Sequence, residues 1–185
     1  ISGSSTEKVE AKWVIIATGS VARHLPGMPV DNVRICDNVG ALAFDDVPKR
    51  LGVIGFSAGG NLAAKASAPV EPRAYPAMDA VDQQSCRPDF AVLVYPAYLD
   101  DKNGHVAADL NLKASIPPTC IIHSEDDKPH VVGSKIFHTA LAAANVAHEF
   151  KLYPTGGHGY GLRCTKDAKA WPDDTLEWLR KTGLR

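Results

Sequence analysis

Hydrophobic positions along the 185-residue chain cluster in short runs set apart by glycine, proline and polar segments. Trp13–Ala17, Leu51–Ile54, Phe90–Tyr95 and Thr119–Ser124 are near-continuous apolar runs. Runs of this length bounded by turn residues predict buried strands. His148–Tyr153 alternates and predicts a fifth. Other stretches carry a helical period. Asp37–Leu42 reads as a short helix capped by Asp37 or Asn38, and a second begins at Asn61-Leu-Ala-Ala64 and runs to about Ser67. Ser134–Asn145 spaces Ile136, Phe137, Ala140, Leu141 and Ala144 along one face, and Asp173–Lys181 is amphipathic around Leu176 and Leu179. Ile1–Glu10 is polar and reads as a frayed end or hairpin remnant. Ala68–Pro88 is a long proline-rich loop, a length that suits a lid or substrate-binding segment. Strands alternating with helices predict an α/β fold. The expectation is one domain over residues 1–185, with a parallel sheet of about five strands flanked by helices on both faces. Ligands of such sheets bind beyond the carboxyl ends of the strands.

Composition adds bounds rather than direction. A 45% hydrophobic and 22% charged chain is ordinary for a soluble globular protein. The net charge of -1 argues against nucleic acid or an anionic membrane as partner. No apolar stretch approaches the ~20 residues of a membrane span. No basic-then-apolar leader is visible, so the expected setting is soluble, and cytoplasmic if expressed as given. Cys36, Cys86, Cys120 and Cys164 form no C-x-x-C pair and read as free thiols, with Cys120 in the core.

The chemistry gathers around Leu51–Ala64, LGVIGFSAGGNLAA. A strand, a Gly55-Phe-Ser57-Ala-Gly59 turn and a helix make a nucleophile elbow. The glycines answer to a strained serine backbone and crowding by neighbouring strands. The amide of Ala58, at the helix N-terminus, is placed to hold an oxyanion. Ser57, the Asp126/Asp127 pair and His158 each follow a predicted strand, in the chain order serine, acid, histidine. A serine hydroxyl needs a base, His158, and the imidazole needs a carboxylate to orient it. Asp127 is preferred over Asp126, because it lies four residues past His123, at the usual acid position of the fold. His123 and His130 flank the acids, but their spacing fits no standard ligand motif; the expectation is no metal, with His123 a core or loop residue. Tyr95 and Tyr98 stand where an acyl pocket would be, with packing the preferred role; Trp171, Trp178 and Tyr160 read as core and rim.

GFSAGGNLAA, SCRPDFAVLVYPAYL, PPTCIIHSEDD and FKLYPTGGHGYGLR resemble the acetyl xylan esterase and feruloyl-esterase-like carboxylesterases of the α/β-hydrolase superfamily, over roughly residues 53–185. The resemblance implies a serine hydrolase of small acyl esters, such as acetyl groups on sugars, with Ser57, Asp127 and His158 as triad, Ala58 as oxyanion donor and no cofactor.

Residues 1–55 resemble something else. AKWVIIATGSVARHLPGMPVDNVRICDNVGALAFDDVPKRLGVIG is similar to dihydrolipoamide dehydrogenase, where the VIG strand leads into a G-x-G-x-x-G loop. Here FSAGG follows instead, and neither a flavin fingerprint nor a redox cysteine pair is present. No flavin or nicotinamide chemistry carries over. A dinucleotide-binding fragment is disfavoured, because Ser57 stands where that loop needs glycine. The combination implies a chimera joined within Leu51–Gly55, with a truncated α/β-hydrolase-like sheet. No HGGG-type oxyanion segment precedes the elbow. Two functions follow as expectations: a weakened esterase, or a folded recombinant with no catalysis. The strand Trp13–Ala17 is expected either to dock beside Val53, bringing amides near Gly19 and Ser20 towards Ser57, or to dock elsewhere. An exposed sheet edge further predicts a homo-oligomer.

Overall fold

The computed structural model describes residues 50–71, 73 and 75–183, together with Val30, Gly40 and Ala43. The chain divides into two units, Ile1–Val47 and Pro48–Arg185, and the fold is that of the second. The expected strand Trp13–Ala17, nearly all of the expected helix Asp37–Leu42 and the amides of Gly19 and Ser20 lie outside the described residues.

Four strands form one parallel sheet in sequence order: β1 (Gly52–Phe56), β2 (Phe90–Val94), β3 (Thr119–Ser124) and β4 (His148–Tyr153). Three helices follow strands β1, β3 and β4: α1 (Ala58–Ser67), α2 (Lys128–Ala143) and α3 (Trp171–Lys181). The strands β3 and β4 have the bounds that their patterns predict. The helix α2 starts six residues before its apolar period, because Lys128-Pro129-His130 forms a polar first turn that carries no hydrophobic signal. Proline is compatible with that turn, where its missing N–H has no helical acceptor to lose.

Both faces of the sheet are buried, which is why β2 and β3 are apolar without alternation. On one face Ala63 and Ala64 of α1 and Phe137 and Leu141 of α2 pack on Leu93 and Ile121. On the other, Trp171 and Trp178 of α3 pack on Val92, Val94, Cys120 and Ile122. Small alanines face the sheet from α1, and two tryptophans face it from α3. Cys120 is buried, as expected, and burial pushes its thiol up to about 12. The entry to β1 is clamped: the Leu51 N–H donates to Asp89 Oδ2 at 2.7 Å, and the Asp89 N–H donates back to the Leu51 carbonyl at 2.8 Å. No helix among the described residues is long and apolar enough to cross a membrane.

Phe137 is fully buried between α2 and the sheet. Phe137→Ala is expected to cost about 3–5 kcal/mol of stability, whereas Val132→Ala, on the exposed side of α2, is expected to stay within about 0.5 kcal/mol. Urea unfolding of the two variants checks the contrast.

Candidate active site

Ser57 sits between β1 and α1 with a backbone φ of +56°. This left-handed region costs a non-glycine residue on the order of 1–3 kcal/mol and persists only where the surroundings impose it. Here the Ser57 N–H is held by the Val94 carbonyl at 3.0 Å, and the Ser57 carbonyl accepts from the N–H groups of Gly60 and Ala97. The glycine requirement is partly as expected. A Cβ on Gly55 would lie 2.1 Å from the Gly59 carbonyl oxygen, and one on Gly60 would meet Pro96. A Cβ on Gly59, the last glycine of the G-x-S-x-G pattern, would meet nothing within 4 Å. Gly60, one residue beyond that pattern, supplies the second close approach.

The Ser57 side chain makes no capping bond to α1. Its Oγ lies 2.7 Å from His158 Nε2, and His158 Nδ1 lies 2.5 Å from Asp127 Oδ2. Since the carboxylate only accepts, Nδ1 carries the hydrogen and Nε2 is free to accept from the serine hydroxyl. The path runs inward: the His158 side chain is 31% exposed and that of Asp127 only 3%. As first residue of α1, Ala58 presents a backbone N–H that the helix itself cannot satisfy.

The two adjacent carboxylates have separate partners. Asp127, at the N-cap of α2, faces His158. Asp126 turns towards the backbone of the His158 loop and accepts from the N–H groups of Gly156 at 3.0 Å and Gly157 at 2.7 Å. The Gly157 bond above all holds the Asp126 carboxyl below its ordinary range, against partial desolvation. The far end of the same loop is held by Tyr95, whose hydroxyl accepts from the Gly161 N–H at 3.1 Å, and by Trp171 Nε1, which donates to the Gly161 carbonyl at 2.8 Å. Tyr95 is buried and its ring meets His158 edge-on at 5.1 Å. Asp126 and Tyr95 thus position the loop, roles that local sequence spacing does not reveal because both partners lie more than thirty residues away. Tyr98 differs from its neighbour. It is 62% exposed, and its ring packs on His130, which in turn packs on His158 with centroids 4.6 Å apart.

Among the described residues, the group with metal-ligating atoms close together is His123, Asp127 and His158, all within 4.8 Å. Asp126 and His130 are not part of it. The two imidazole nitrogens lie 2.8 and 2.5 Å from the same carboxylate oxygen, the spacing of hydrogen bonds.

Comparison with known proteins divides the chain. Residues 2–69 match the pyridine nucleotide-disulphide oxidoreductase family. A dihydrolipoyl dehydrogenase of Cupriavidus necator is 69% identical over 49 residues, 26% of this chain and 10% of that protein. An acetylxylan esterase of Xylanibacter ruminicola is 26% identical over 140 residues, 62% of this chain and 27% of that protein. An acetyl ester-xyloside bifunctional hydrolase from Caldicellulosiruptor lactoaceticus superposes with a TM-score of 0.59 at 30% identity, over 74% of this chain and 58% of that one. MGS-M1, an α/β hydrolase from a deep-sea metagenome library, gives 0.52 at 27% identity, over 73% and 55%. The sheet is therefore α/β-hydrolase-like, and the chain joins it to a dehydrogenase-like segment. In every case the chain spans well under two thirds of the protein it resembles.

The depressed Asp126 carboxyl gives a signed pH expectation. A group whose pKa falls on folding stabilises the folded form above its unfolded value and loses that contribution as pH falls through the folded one. Hydrogen-exchange protection of the Gly156 and Gly157 amides is expected to drop on acidification, and Asp126→Ala is expected to remove it at neutral pH with the fold intact. Amide exchange read by NMR checks both.

Proposed function

We propose that this chain carries a serine carboxylesterase site for short acyl esters, acetylated sugars among them. The observation that supports it is the unbroken hydrogen-bonded path from Ser57 Oγ through His158 to the buried Asp127. In this reading Ser57 Oγ attacks the ester carbonyl carbon as its proton passes to His158 Nε2. The Asp127 carboxylate balances the imidazolium and keeps Nε2 directed at the serine. The Ala58 N–H donates to the carbonyl oxygen as it becomes an oxyanion. The bond to the alcohol then breaks and His158 returns the proton to the leaving oxygen. Water repeats the sequence on the acyl-serine, releasing the acid and restoring Ser57. The substrate class follows the names of the esterase relatives, and exposed Tyr98 supplies an aromatic rim against which a sugar face can stack.

A second reading, a folded recombinant without catalysis, is favoured by one observation: the stretch leading into the elbow matches an oxidoreductase family rather than a hydrolase one. Losing one oxyanion donor costs about 10²–10³ in kcat. Stoichiometric labelling by an organophosphonate and hydrolysis of nitrophenyl acetate separate the two readings. The esterase reading expects both, and expects Ser57→Ala to abolish both. Folded protein that does neither supports the non-catalytic recombinant.

The outer edge of β1 extends this reading to assembly. Among the described residues β1 is an edge strand, and Ile54 and Leu62 stand exposed beside a cavity of about 540 Å³ lined by Val53, Phe56 and Ala66. Exposed apolar edges pair unless they are blocked, and a second copy meeting β1 across a two-fold axis would satisfy it. Sedimentation is expected to show a dimer that Ile54→Lys converts to monomer; a monomeric wild type would remove this part.

A further inference from the structure

His123 is the most deeply buried titratable group touching the site, and the steps above do not use it. It lies near the end of β3, fully buried, between the N-cap and the second turn of α2. Its Nε2 is 2.8 Å from Asp127 Oδ2, the same oxygen that meets His158. Its Nδ1 is 2.7 Å from Ser134 Oγ, also fully buried.

These contacts fix the hydrogens. The carboxylate has nothing to donate, so His123 Nε2 bears the hydrogen. A neutral imidazole has only one, so Nδ1 accepts and the Ser134 hydroxyl donates. Burial lowers the His123 pKa, outweighing the opposing pull of Asp127. A neutral donor matters here. A cationic His123 would compensate the Asp127 charge, whereas the neutral ring orients Oδ2 and leaves the whole negative charge for an imidazolium at His158. A buried carboxylate with one partner would also be under-satisfied and free to turn.

We infer that His123, its tautomer set by Ser134, is a positioning residue that holds Asp127 Oδ2 towards His158. The inference rests on the esterase reading for its kinetic consequence but not for its geometry. His123→Leu keeps the volume and removes the donor. It is expected to slow phosphonate labelling of Ser57 and to lower kcat by about 10²-fold, the cost of a misplaced catalytic group, with KM unchanged. His123→Gln retains a donor near the Nε2 position and is expected to recover most of that loss. The far-downfield proton resonance of the His158–Asp127 bond is expected in the wild type and the Gln variant, and to be weakened in the Leu variant.

A folded His123→Leu that labels at the wild-type rate overturns the inference, as does a Gln variant as slow as the Leu one. Should His123→Leu not fold, Ser134→Ala decides: a several-fold lower kcat at unchanged KM supports the inference, and an unchanged kcat overturns it. Wild-type protein that is not labelled sinks the esterase reading instead. The proton resonance then decides the positioning role alone, an unchanged signal in the Leu or Ser134→Ala variant overturning it.

Discussion

One carboxylate oxygen, Asp127 Oδ2, is the point on which the site converges. It receives an N–H from His158 on the solvent side and another from His123 on the core side. Burying a carboxylate is costly unless its lone pairs are occupied. The sheet places Asp127 just beyond the end of β3, at the N-cap of α2, where both imidazoles reach it. The hydrogen-bonded path to the serine depends on that arrangement. His158 is oriented by it, and the hydroxyl of Ser57 has an acceptor only because His158 is.

The loops around this oxygen are held by backbone bonds rather than by packing alone. Asp126 ties the start of the His158 loop and Tyr95 with Trp171 ties its end. Adjacent aspartates therefore do different work. One faces the imidazole, and the other secures the main chain that carries it. The strain at Ser57 is sustained in a similar way, by Val94 on one side and Gly60 and Ala97 on the other.

Much of this was legible in the sequence because its signals are local. Apolar runs marked β2 and β3, and alternation marked β4. The serine turn, the acid pair and the histidine each stood directly after a strand. Two things were not legible. The start of α2 was hidden because its first turn is polar. His123 read as a core or loop residue, since burial is visible in an apolar strand but a bond to Ser134 eleven positions away is not. The second glycine contact also moved, from Gly59 to Gly60, because Pro96 crowds only the latter.

The bonds that shape the site run between positions 57 and 171, all on one side of the change in resemblance near Leu51–Gly55. The strand at that change is itself secured from downstream, by Asp89 at its entry and by β2 along its length. A recombination point at β1 therefore divides the molecule into inheritable parts. The serine, the histidine, the carboxylate and the supports described for them are all written in the downstream part. The path from Ser57 through His158 to Asp127 thus travels as one piece of sequence, with β1 as its first element.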